Sequence, residues 1–211
     1  MYIWLFLYFI AGAALGRLLD IYAKRYCGIA ENNSYLPVIL VTGFAFMLSG
    51  LHFMPGLPLA LIFVLTDCLV LISLIDYRVQ IIPDGLVMVI AAAGLLHSLL
   101  AKPDALFDAL SGSLLAFVVM LVILIISRGG MGGGDVKLSA TVGLWLGVEG
   151  TLLFLLLAFV MGGIISLLLL AAGVKNRNDA VPFGPFLCIS AFITVLYAPL
   201  LLNYYWSLFL L

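Results

Sequence analysis

Apolar positions in this chain come in long unbroken runs, each closed by a short polar segment, and the runs recur from end to end. A helix needs about 20 predominantly apolar residues to cross roughly 30 Å of hydrocarbon, so the pattern predicts membrane-crossing helices. A transmembrane barrel would show short segments of alternating polarity, and these are absent. Spans are predicted over 2–19, 37–53, 57–75, 85–101, 107–126 and 186–203. A further apolar region, 138–174, is too long for one pass and is interrupted near Gly147, Glu149 and Gly150. The first run lacks a basic start and has Arg17, Lys24 and Arg25 after it, so it is expected to be a retained span rather than a signal peptide.

Charge placement orders these spans, because cytoplasmic loops carry the excess of Lys and Arg. Arg17, Lys24 and Arg25 put the loop after the first span inside; Arg78 follows inside after the third, and Arg128 and Lys137 after the fifth. For Lys175 and Arg177 to be inside as well, 138–174 must cross twice, turning near Glu149. The expectation is therefore an all-α, polytopic helical membrane protein of about eight transmembrane segments, with both termini outside and only Lys102 of the nine basic residues on that side. One segment is short: 138–148 extends about 16 Å at 1.5 Å per residue, which would require a deeper start or a locally thinned bilayer. No internal repeat is evident, so 1–211 is read as a single membrane domain, with a short cytoplasmic loop at 17–36 and a Gly-rich cytoplasmic loop at 127–137.

Composition agrees: 66% of the residues are hydrophobic and 9% charged, and the mean hydropathy is +1.33. The net charge of −1 points to no nucleic acid, which leaves the lipid bilayer as the partner that composition implies. Cys27, Cys68 and Cys188 are isolated, without a CxxC pair or neighbouring histidines, and are expected to be small packing residues.

Chemistry enters through two carboxylates at the ends of apolar runs, Asp76 in IDYRVQIIPD and Asp135 in GMGGGDVKL. A charge at the edge of hydrocarbon is costly, so such residues are rare and usually functional or paired. Asp76 closes a helix, where the dipole disfavours a negative charge; its plain alternative is a solvated helix end paired with Arg78. Asp84 follows Pro83 at a helix start, a setting that suits a carboxylate without any chemistry. Ahead of Asp135 crowd Gly129, Gly130, Gly132, Gly133 and Gly134, a loop able to approach the membrane closely. A phosphate-binding loop is excluded, because no GK[ST] follows and no strand precedes. Hydrolysis by paired carboxylates needs one protonated and one ionised group sharing a water, and two loops on one membrane face would supply them. Carboxylates in a membrane would also suit a transporter or channel, the alternative reading.

The order IDxxxxxIPD, GxGD as Gly132-Gly133-Gly134-Asp135 with Lys137-Leu138 after it, and PFGPFL at Pro182 to Leu187 resembles the type IV prepilin peptidases, membrane aspartyl proteases of the GxGD class. FIAGAALGRLLD near the N-terminus is a weaker likeness, and together the elements cover nearly the whole chain. The resemblance implies that Asp76 and Asp135 are the catalytic pair, one activating water and the other protonating the leaving amine. Gly132, Gly134, Lys137 and Asp84 would support them, Lys137 pairing with a carboxylate or facing lipid headgroups. It also implies an inner-membrane enzyme of type IV pilus or type II secretion systems. Its substrates would be prepilins or pseudopilins, whose basic leader is cut at the cytoplasmic face just before an apolar helix. That chemistry needs no metal and no organic cofactor. Many members also carry two CxxC pairs between the first two spans and N-methylate the new terminus with S-adenosylmethionine. Here 20–36 holds Cys27 alone, so no four-cysteine zinc site can form there, and methyl transfer is not expected.

The remaining polar residues read as structural. Asp67 lies nine residues before Asp76, on the opposite helix face, and calls for a partner such as Thr66. His52 and His97 fall near outer span ends. Trp4, Trp145 and Trp206 suit an aromatic belt, and Gly12, Gly16, Gly162 and Gly163 suit close helix packing.

Overall fold

The computed structural model describes residues 2–28, 35–101, 105–127, 130–174, 176 and 181–209, so Lys102, Arg128, Gly129, Lys175 and Arg177 lie outside the described residues. Every regular element among the described residues is a helix: α1 Tyr2–Tyr26, α2 Leu36–His52, α3 Leu57–Val79, α4 Asp84–Leu100, α5 Ala105–Ile126, α6 Gly133–Ala171 and α7 Gly184–Phe209. The chain is a polytopic helical membrane protein. Among the described residues, five of these helices are long and apolar enough to cross a membrane; α2 and α4, at 17 residues each, are shorter apolar helices. Pro37 and Pro58 sit in the first turns of α2 and α3, where the missing N–H is not needed.

The longest helix is broken. Gly147 in α6 has φ 64° and ψ −169°, a conformation open in practice to glycine alone. Before the break, Gly112 of α5 meets the backbone of Gly143 and Gly147. After it, Gly162 packs on Phe183 and Phe186 at the start of α7. The chain therefore reverses at Gly147, so that α6 is a hairpin of two segments, 133–146 and 148–171, and the seven helices comprise eight segments. The reversal agrees with the turn expected within 138–174 and falls two residues before Glu149. The first segment is about 21 Å long at 1.5 Å per residue, longer than expected because the helix begins at Gly133.

The core lies where α3, α4, α6 and α7 converge, around Ile62, Leu65, Ile72, Leu138, Phe154 and Leu187. The outer surface carries exposed Ile3, Phe107, Ile126 and Leu167, as expected of faces solvated by lipid. Gly12 and Gly16 bring α1 onto Thr42 of α2, and Gly162 admits the α7 phenylalanines, while Gly163 faces open space and packs nothing.

Three expectations are corrected. Residues 17–26 are helical, because Asp20 and Lys24 find buried partners that let α1 continue. Of the Gly-rich segment 127–137, Gly130 to Gly132 are irregular, while Gly133 to Lys137 form the first turn of α6, with Asp135 accepting the N–H of Gly132. Trp145 belongs to the core, not to an interfacial belt: it is 8% exposed, and its indole N–H donates to the Ile90 carbonyl at 3.0 Å, tying α6 to α4.

Candidate active site

Asp76 stands in the last turn of α3, where its carbonyl accepts the N–H of Gln80, the left-handed cap of that helix. The following residues, Ile81 to Pro83, run without helix until α4 starts at Asp84. Within them Ile82 packs against Gly134; a methyl group on that glycine would stand 3.0 Å from the Ile82 Cβ. The two motif segments are thereby held against each other.

Both aspartates are buried, Asp76 at 5% exposure and Asp135 at 6%. The Oδ2 of Asp76 accepts the N–H of Gly184 at 2.9 Å, from the start of α7. The Oδ2 of Asp135 accepts the N–H of Gly132 at 3.1 Å, while its Oδ1 is buried without a hydrogen-bond partner among the described residues. The two carboxylates lie within electrostatic reach of each other and of the Cys188 thiol. A backbone donor thus orients each, and Asp135 retains an oxygen that no donor among the described residues occupies. Carboxylates so arranged can hold a water between them and share its protons.

Lys137, Arg78 and Lys24, among the described charges around the pair, are engaged elsewhere. Lys137 reaches Asp84 at 2.8 Å, an exposed bridge between α6 and α4. Lys137, expected within the loop 127–137, is thus helical, and Asp84 opens α4 at the expected helix start. Arg78 does not pair with Asp76: its guanidinium donates to Asp20 at 3.1 Å, and Asp20 also binds Lys24 at 2.7 Å. The solvated, Arg78-paired reading of Asp76 is overturned, because the carboxylate is buried and its expected partner is engaged by α1.

Asp67 stands about 14 Å along α3 from Asp76 at 1.5 Å per residue. Thr66 does not serve it, since that hydroxyl donates to the Ile62 carbonyl at 2.8 Å, and the Oδ1 of Asp67 is buried without a partner among the described residues. His52 packs its ring on Tyr197, and His97 stacks on Trp145. Two contributors were not assigned from the sequence. Gly184 lies inside PFGPFL, but nothing local says that its N–H meets a carboxylate 108 residues away. Asp20 closes FIAGAALGRLLD, and its pairing with Arg78 spans 58 residues.

The model of the type IV leader peptidase family matches residues 62–167, a stretch that includes both aspartates. The prepilin leader peptidase/N-methyltransferase of Aeromonas salmonicida is 30% identical over 188 residues, 87% of this chain and 65% of the relative. The protein of that name from Legionella pneumophila is 35% identical over 161 residues, 73% of this chain and 55% of the relative. The Bacillus subtilis protein is 27% identical over 183 residues, covering 85% and 72%. The chain thus spans less than two thirds of the length of the first two relatives. No solved structure matches it significantly.

Proposed function

This chain belongs to the type IV leader peptidase family, and from that premise we propose that it is an aspartic endopeptidase that removes the leader from prepilins or pseudopilins, with Asp76 and Asp135 as its catalytic pair. The observation that carries this reading is two buried carboxylates from separate motifs, within electrostatic reach of each other and each fixed by a backbone N–H. With one carboxylate ionised and the other protonated, the ionised one takes a proton from the shared water as its oxygen attacks the scissile carbonyl. The protonated one then gives its proton to the leaving amine. In this reading Gly132 and Gly134 let the Asp135 turn close against Ile82, and the Lys137–Asp84 bridge holds the α4 and α6 starts together.

The site is proposed to face the cytoplasm. Lys24, Arg78 and Lys137 belong to helix ends near the carboxylates, which agrees with the excess of basic residues on that side of membranes. The substrate's basic leader would remain in water there. An ion-pathway reading is less well supported, because Asp67 lies at another level and on another face of α3 than Asp76. We further propose that methyl transfer is absent, since 20–36 contains only Cys27 and no pair of CxxC motifs.

A prepilin from the same genome, co-expressed with wild type, Asp76→Ala or Asp135→Ala, tests both points by intact mass. Wild type is expected to remove the leader without adding a methyl group. Each variant should process slower by on the order of 10³-fold or more, because such a pair acts as a unit. Processing at the wild-type rate by either variant would falsify the catalytic assignment.

A further inference from the structure

Along one side of the bundle, α2, α3 and α7 enclose a cleft of about 580 Å³. Its walls are apolar, built from Val41, Phe44, Leu69, Val70, Ile189 and Phe192. Val41, Phe44 and Ile189 are 58%, 50% and 49% exposed, on the apolar helices α2 and α7, so the cleft opens sideways on the apolar outer surface of the bundle. It extends along α2 from Pro37 to Leu48, about 16 Å at 1.5 Å per residue, or half of a roughly 30 Å hydrocarbon core.

Where the cleft ends is more informative than what lines it. Its inner end is formed by Ser73, Leu74 and Cys188. Ser73 and Leu74 are within one turn of Asp76, Cys188 is one turn beyond Gly184, and the Cys188 thiol is within electrostatic reach of both aspartates. The cleft therefore ends within one helical turn of Asp76 on α3 and of Gly184, whose N–H Asp76 accepts, on α7.

We propose that this cleft receives one face of the apolar helical segment that flanks the scissile bond of the substrate; the proposal rests on the peptidase reading and locates where that substrate lies. A helix is 10–12 Å across, and the half-exposed Val41, Phe44 and Ile189 show that the cleft is open along one side, so it seats one face of a helix without enclosing it. The cleft therefore takes the side chains of one stripe, at i, i+3 or i+4 and i+7, and leaves the opposite face in lipid. Inside hydrocarbon the segment must keep its own backbone hydrogen bonds, so it stays helical along the cleft. The bond to be cut has to lie beyond the end of that helix, at the level of Asp76 and Asp135.

The experiment uses the full chain in vesicles of phosphatidylethanolamine and phosphatidylglycerol, with a prepilin from the same genome as probe. Val41 and Val70 are replaced one at a time by a photo-crosslinking aromatic residue, in a chain carrying Asp135→Asn so that the substrate is not consumed. Leu152, exposed on another side of the bundle, is the control position. The expected result is an adduct from Val41 and Val70 to the substrate's apolar segment, at least tenfold above that from Leu152. Labelling of lipid alone, or equal labelling from Leu152, overturns the proposal. In the otherwise unmodified chain, Val70→Phe narrows the cleft and is expected to raise KM about tenfold with kcat within about twofold; an unchanged KM overturns it equally. Normal cleavage by wild type without these adducts removes the cleft and leaves the peptidase standing. Adducts without cleavage by wild type retain the cleft and remove the peptidase.

Discussion

Gly184 has no side chain where one would collide with the candidate site. A methyl group there would stand 2.5 Å from Oδ2 and 2.8 Å from Cγ of Asp76, closer than carbon and oxygen atoms pack. Gly184→Ala must therefore push the carboxylate away and lengthen the bond that the glycine N–H donates to it. A displacement of about 1 Å at a reacting group costs on the order of 10²-fold in rate. The expected outcome is a kcat about 10²-fold lower, with thermal inactivation in detergent within a few degrees of wild type. A variant as active as wild type would mean that the Asp76 orientation does not matter to the reaction. The two aspartates are legible in the sequence because a carboxylate at the edge of an apolar run is anomalous in itself. Gly184 is not, since a glycine at a helix start has many ordinary explanations and its partner is 108 residues distant. Trp145 misleads for the opposite reason. Its position near a span end matches an interfacial residue, and only tertiary structure supplies the Ile90 carbonyl that satisfies its N–H inside the core.

At the level of elements, α6 shows how one residue turns a helix into a hairpin. Gly147 sits at positive φ, and a side chain on it would strike the Asp108 carboxylate of α5. That carboxylate in turn accepts the N–H of Val148 at 3.1 Å, capping the outgoing segment. Gly147→Ala is expected to cost about 1–3 kcal/mol from the backbone conformation alone, with the collision added. Asp108→Ala, which removes only the cap, should cost about 1 kcal/mol, and Asp108→Asn less because an acceptor remains. Thermal inactivation in detergent should rank the variants in that order; Gly147→Ala as stable as Asp108→Asn would contradict the turn. The hairpin is legible because apolar length and charge bias together demand a second crossing of 138–174. Its location is less so, since Gly147 and Gly150 are equally permissive residues and only the α5 contacts choose between them. Helix ends were the least readable feature: α1 continues through 17–26 because Asp20 neutralises cations that would otherwise mark a solvated loop.

Across the whole molecule, three described cations near the candidate site, Lys24, Arg78 and Lys137, are bound to carboxylates other than the candidate pair. Lys24 and Arg78 share Asp20, and Lys137 takes Asp84, so that Asp76 and Asp135 form no salt bridge among the described residues. The Asp20 cluster also joins α1 to α3 two residues beyond Asp76, through a carboxylate only 1% exposed. Removing one partner of a buried ion pair costs about 3–5 kcal/mol, because the remaining charge is left uncompensated. Asp20→Ala would leave two like charges together where α1 meets α3, and should lower the inactivation temperature more than any single change at Lys137 or Asp84, whose bridge is exposed and worth about 1 kcal/mol or less. Arg78→Met alone leaves Asp20 with Lys24 and should be milder. Combining Asp20→Ala with Arg78→Met removes the cation along with its partner. The pair should therefore be more stable than the two single effects predict by about 1–3 kcal/mol. Prepilin processing should follow the same order, because the Asp20 cluster holds the end of α3 that carries Asp76. Simple additivity of the two changes in inactivation temperature would show that the cluster is not a coupled unit.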